Sequence, residues 1–241
     1  MSRRDVVSVP SVPSVPPVGE LRAVVFDFDG LILDTETSTF EAVTALFEEH
    51  DTRLDPELWL SFLGSIDHPH WTEVLEDQLG RPVDRDELKR RRLETVTAVL
   101  AELAALPGVV QLVEELSGAG IAVGVASSSS AEWVHGHLGR LGLFDRFDSV
   151  STGNEVERTK PAPDVYELAC RRLGVSPSDA VAIEDSSNGC RAARAAGLAV
   201  VAVPLPFAAS MDLSMADEVL DSVAELDVAA LQRLVRERRA E

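Results

Sequence analysis

The second half of the chain alternates short apolar runs with helix-period segments, and few folds tolerate that pattern. IAVGVAS (121–127), FDSVST (147–152), AVAIED (180–185) and LAVVAV (198–203) are separated by helical patterns at 131–141, 163–173 and 187–196. A helix over 109–119 precedes the first of these runs, and RAVVFD (22–27) near the start has the same strand character. Residues 217–221 are a candidate for a last short strand, and 225–239 for a last helix. Brief, continuously apolar strands joined through helices imply βαβ units and a parallel sheet covered on both faces.

Residues 38–105 break the alternation. Phe40, Val43, Leu46 and Phe47 share one face of a helical pattern over 38–50. Two shorter amphipathic pieces fill 55–79, broken at Gly64, Pro69 and Gly80, and the longest helical pattern, 84–105, stops at Pro107-Gly108. The expected architecture is a Rossmann-like parallel sheet core (21–36 and 106–241) with helices on both faces, interrupted by an all-α cap (37–105). Residues 1–20 repeat Ser-Val-Pro, with prolines at 10, 13, 16 and 17 interrupting any apolar signal segment. They read as a disordered tail.

Charge narrows the partners. With 41 acidic against 22 basic residues the formal net charge is −19. Nucleic acid and anionic membrane are therefore excluded as main partners, because phosphate-backbone affinity needs a cationic surface. The basic clusters Lys89–Arg92 and Arg233–Arg239 read as solvated helix faces. No apolar run reaches the length of a membrane span. Cys170 and Cys190 lie in helical patterns and read as buried free thiols, as expected of a cytoplasmic protein. A monomer is the default expectation.

In an open α/β sheet ligands bind beyond the carboxyl ends of the strands. Those ends carry Asp27-Phe28-Asp29-Gly30, Ser127-Ser128-Ser129, Glu184-Asp185-Ser186 and, in the loop after the third run, Lys160-Pro161. Each has a bland alternative. Asp27 and Asp29 fit an acidic turn, while Ser127–Ser130 and Glu184-Asp185 fit helix N-caps. Lys160 stands out because arginine outnumbers lysine 20 to 2 in this chain; a compact ammonium suits a point contact with phosphate. Taken together, carboxylates converging on one sheet edge would repel unless a divalent cation sat among them. Hard oxygen ligands suit Mg²⁺ held jointly by protein and a substrate phosphate. No P-loop pattern is present, which argues against nucleotide-driven transfer by that route.

The ordered motifs DFDGLILDTE (27–36), VASSS (125–129), TKPAPDVY (159–166) and IEDSSNGCRAARAAG (183–197) resemble the haloacid dehalogenase superfamily. The resemblance is narrowest to its phosphatase/β-phosphoglucomutase-like branch, which carries a helical cap after the first motif. It implies an Mg²⁺-dependent phosphatase acting on a small phosphorylated metabolite through an aspartyl-phosphate. Asp27 is the implied nucleophile and Asp29 the acid, then base. Ser127, Ser128 and Lys160 are implied to hold phosphate. Asp27, the Asp29 carbonyl and Asp185 are the implied metal ligands, with Glu184 a ligand or a neighbour of one. Substrate identity is expected to reside in the cap, at residues such as Glu36, Thr39, Ser65 and His68. Asp29 argues against a dehalogenase, whose halide leaves without a proton. Thr39 and Asp67 stand where β-phosphoglucomutases carry a His and an Arg, which favours a phosphatase over a sugar phosphomutase. Intact motif residues argue against a non-catalytic binding protein.

Overall fold

The computed structural model describes residues 20–64 and 68–240. The expected tail up to residue 19, and Ser65 and Asp67, therefore lie outside the described residues.

Among the described residues, six parallel strands form one sheet in the order β3-β2-β1-β4-β5-β6: β1 Ala23–Phe26, β2 Ala122–Ala126, β3 Ser149–Ser151, β4 Ala180–Glu184, β5 Ala199–Ala202 and β6 Glu218–Val219. This is the Rossmann-like α/β core. Strands β1 and β4 lie side by side in register, Phe26 opposite Ile183, although more than 150 residues separate them. The sheet grows outward in both directions from that pair, so the switch point lies there. The ends of β1, β2 and β4 consequently open onto one crevice.

Strand side chains alternate between two cores. Val24 and Phe26 pack on one face with Leu112 and Leu116 of α5 (Val109–Gly118), Val134 and Leu138 of α6 (Ala131–Arg140), and Leu231 and Val235 of α9 (Val228–Ala240). Ala23 and Val25 face the other side, against Tyr166 and Ala169 of α7 (Asp164–Leu173) and Ala192 and Ala193 of α8 (Ser187–Ala196). Cys170 and Cys190 are buried and free within this second core.

Between β1 and β2 the described chain is helical: α1 Thr35–Glu48, α2 Pro56–Phe62, α3 Trp71–Leu79 and α4 Arg85–Glu102, with α5 leading into β2. Helix α1 starts three residues before the apolar period does. The Asp34 carboxylate caps it by accepting from the Thr37 amide at 3.0 Å, which the helix's hydrophobic residues could not reveal. Val43, Phe47, Trp59, Phe62 and Leu75 give this layer its own core. Phe207, after β5, stacks on Phe40 with centroids 5.3 Å apart. The Asn188 amide donates to Leu63 O at 2.8 Å, and the Ser128 hydroxyl to Gly64 O at 3.0 Å. The helical layer is thus seated on the carboxyl edge of the sheet.

Candidate active site

Asp27 continues β1 by one residue, its amide donating to Ile183 O at 2.9 Å. The side chain is left at the strand's mouth, buried. Gly30 then turns the chain with φ +82°, and a Cβ there would lie 2.1 Å from Asp185 Oδ2. Both the backbone and the space demand glycine. This turn closes on itself through Gly30 N to Leu33 O (2.8 Å) and brings Asp29 round to the crevice.

Four donors converge on the Asp29 carboxylate. Oδ1 accepts from Thr35 Oγ1 (3.0 Å) and Trp133 Nε1 (2.8 Å); Oδ2 accepts from Ser127 Oγ (3.2 Å) and Ser129 Oγ (2.7 Å). The loop after β2 therefore divides its serines. Ser127 and Ser129 address Asp29, Ser128 reaches the helical layer, and Ser130 caps α6 by accepting from the Trp133 amide. On the other motif Ser186, rather than Glu184 or Asp185, caps α8 through the Gly189 amide at 3.1 Å. The bland capping reading holds for Ser130 and Ser186 and leaves the neighbouring acids and hydroxyls for other work.

Lys160 is buried with its ammonium donating to Asp27 Oδ1 and to Glu184 Oε1, the latter at 2.6 Å. Tyr166 donates its phenol to the same Glu184 oxygen at 2.5 Å and lies under the ammonium, 5.1 Å from ring centroid to Nζ. Burial opposes the charge on Lys160, but Asp27 and Glu184 outweigh it and hold the ammonium protonated above its usual range. Burial pushes the Asp27 carboxyl up to about 8 despite Lys160. Asp185 is driven well above the carboxylate range by burial and by the charges of Asp27 and Glu184. One ammonium is thus insufficient for this set of acids. Asp27, Glu184 and Asp185 each offer an oxygen within 4.8 Å of the others, all buried. Three hard donors short of positive charge, with Asp185 seated where a Cβ at Gly30 would intrude, fit a divalent cation.

Asp27, Asp29, Lys160 and the three serines Ser127, Ser128 and Ser129 line a cavity of about 360 Å³. Its walls come from the helical layer. Glu36 and Thr39 of α1 line it, Glu36 with its carboxyl pushed up to about 8 by burial and by Asp29 and Asp27. Thr39 spends its hydroxyl on Thr35 O at 2.8 Å. His68 lines it too, stacked on Phe62 with centroids 4.2 Å apart. Several lining residues, Trp59, Phe62, His70 and Trp71 among them, were not named as site residues from the sequence, and two more bear on the chemistry. Trp133 is one; the other is Arg92 of α4, expected on a solvated basic face but half-buried against the cavity, its buried Nε without a hydrogen-bond partner among the described residues. Arg92 was legible: Leu88, Val96 and Leu100 are the buried residues of α4, and Arg92 interrupts that i, i+4 stripe.

Residues 24–203 match the family described as haloacid dehalogenase-like hydrolase. The putative phosphatase YhcW of Bacillus subtilis is 40% identical over 211 residues, 88% of this chain and 96% of that protein. The fructose-1-phosphate phosphatase YqaB of Escherichia coli is 32% identical over 185 residues, 76% of this chain and 96% of that one. Among solved structures, CbbY from Rhodobacter sphaeroides in complex with phosphate superposes with a TM-score of 0.69 at 34% identity, covering 88% of this chain and 99% of that one.

Proposed function

The chain belongs to the haloacid dehalogenase-like hydrolase family and is a phosphoric monoester hydrolase, and from that premise we propose that it hydrolyses a small sugar phosphate or similar metabolite through an aspartyl-phosphate on Asp27. The observation that carries this reading is the asymmetry of the two motif acids. Asp27 is bound by the Lys160 ammonium at the strand's mouth, whereas Asp29, two residues on, is surrounded by rotatable hydroxyls and an indole N–H. One acid is held by an ammonium and ionises to attack once further positive charge joins Lys160; the other is surrounded by groups that exchange hydrogen bonds.

In the first step an Asp27 oxygen bonds to phosphorus while the bond to the leaving oxygen breaks. Asp29 delivers the proton that oxygen needs. In the second step water attacks the same phosphorus, Asp29 takes its proton, and the Asp27–phosphorus bond breaks to release inorganic phosphate. Lys160 offsets charge on Asp27 and the transferred group throughout, and Ser127 is placed to turn its hydroxyl from Asp29 to a phosphate oxygen. Asp27, Asp185 and the Asp29 carbonyl, with Glu184 beside them, would hold Mg²⁺, which supplies Lewis-acid stabilisation of the phosphoryl oxygens. The helical layer over the strand ends would shield the acyl phosphate from bulk water until the leaving group departs. Arg92, Glu36, Thr39 and His68 face the leaving group.

Phosphate release from p-nitrophenyl phosphate and from a panel of sugar phosphates tests the reading. Activity abolished by chelation and by Asp27→Asn is the expected result. Interconversion of hexose 1- and 6-phosphates with no net phosphate release would replace it with a mutase.

A further inference from the structure

Trp133 has no place in the catalytic scheme above, yet its indole N–H donates to the general acid at 2.8 Å. The ring is held at both ends. Its backbone is fixed in the first turn of α6, where the Trp133 amide donates to Ser130 Oγ and the Ala131 amide to Asn154 Oδ1 at 2.9 Å. Its ring packs edge-to-face with His137, one turn further along α6, with centroids 4.4 Å apart at 71°. His137 in turn lies against Phe28, centroids 6.2 Å apart, and Phe28 is the residue between Asp27 and Asp29. The contact thus closes a ring of packed side chains that begins and ends on the catalytic motif.

The chemistry of the four donors to Asp29 is unequal. Serine hydroxyls rotate and can donate or accept; an indole N–H donates only and cannot turn away without moving the ring. Ser127 and Ser129 sit on Oδ2, while Trp133 sits on Oδ1. When the hydroxyls swing toward an arriving phosphate, Oδ2 is released and Oδ1 stays tied. We propose that Trp133 is a positioning residue that fixes the plane of the Asp29 carboxylate through Oδ1, so that Oδ2 is the oxygen presented to the leaving group. This rests on the phosphatase reading: the proton on Oδ2 passes to the leaving oxygen as its bond to phosphorus breaks and the Asp27–phosphorus bond forms.

A purely structural tryptophan and a positioning one differ in their dependence on the leaving group. p-Nitrophenolate departs without a proton; phenolate leaves far better with one. The ratio kcat/KM reports the steps through departure of the leaving group, so dephosphorylation does not obscure it. Trp133→Phe is expected to lower kcat/KM for phenyl phosphate by about 10- to 100-fold, within the range a general acid supplies. For p-nitrophenyl phosphate the loss is expected to stay below about 3-fold. Benzothienylalanine at position 133, which exchanges the N–H for sulfur in a ring of nearly the same size, is expected to reproduce the split if the phenylalanine variant folds poorly. Equal losses on both esters, or no loss on either, would overturn the assignment. Wild-type protein that turns over neither ester is a separate failure: it removes the phosphatase reading, and the assignment with it.

Discussion

Gly189 allows the geometry around Glu184 to be tested by one methyl group. It lies in the first turn of α8, buried, with ordinary helical backbone. Helix propensity alone predicts that alanine there stabilises by about 0.5–1 kcal/mol. The structure predicts the opposite sign. A Cβ at 189 would lie 1.9–2.0 Å from Oε1, Oε2 and Cδ of Glu184, far inside contact distance, so the carboxylate must leave. That carboxylate accepts from Lys160, Tyr166, the Asp185 amide and Ser186 Oγ. Overpacking costs about 1–3 kcal/mol, and disturbing a buried, hydrogen-bonded ion pair up to about 3–5 kcal/mol. These overlap, and the propensity gain offsets part, leaving a net loss of about 2–4 kcal/mol. Gly136, exposed in α6 with nothing within 4 Å of its Cβ position, is the control: alanine there should give the full propensity gain. Urea unfolding of both variants, with unchanged m-values, measures the two signs. A Gly189→Ala protein as stable as Gly136→Ala, with wild-type turnover, would refute the placement of Glu184 over the α8 amino terminus.

Arg92→Met should raise KM for sugar phosphates about 10-fold with little change in kcat, because a leaving-group contact equal in ground and transition states is lost. The same variant should melt no lower than wild type, since the buried Nε has no hydrogen-bond partner among the described residues and burial already opposes the Arg92 charge despite Glu36; a destabilised variant with unchanged KM would make Arg92 structural. Away from the site, Arg172 hydrogen-bonds the Glu155 carboxyl and holds it down at about 2, with help from Thr152. A folded-state pKa below the unfolded one stabilises above the unfolded value and is lost as pH falls. Wild type should therefore exceed Glu155→Gln by about 1 kcal/mol above pH 5, the gap closing as pH drops toward 2 in parallel urea titrations. A gap that widens in acid would reverse the assignment.

Most of the sheet was legible because its strands are short, apolar and bounded by polar turns. AVVF and AVAIE leave no other reading once helices alternate with them, and β1 was found beside β4 where four polar strand ends were expected to meet. Element ends were less legible where a single polar atom sets them: Asp34 starts α1 at Thr35, inside a stretch whose apolar period begins later. Within the site, Asp27, Asp29, Ser127, Lys160 and the Glu184-Asp185 pair announced themselves by position at strand ends. Trp133 and Arg92 did not, for different reasons. Trp133 sits on a helix whose partner, Asp29, is 104 residues away, and no local pattern encodes that distance. Arg92 was hidden among Lys89, Arg90 and Arg91, a basic run that reads as solvated unless its phase against Leu88 and Val96 is followed.

The central claim is a covalent bond between Asp27 and phosphorus. Protein mixed with a turned-over phosphomonoester, quenched in acid within one turnover and reduced with borohydride, should carry homoserine in place of Asp27 in the peptide spanning β1, and Asp27→Asn should show no such change. Rapid phosphate release with Asp27 unmodified, or reduction appearing at Asp29 or Asp185 instead, would contradict the account.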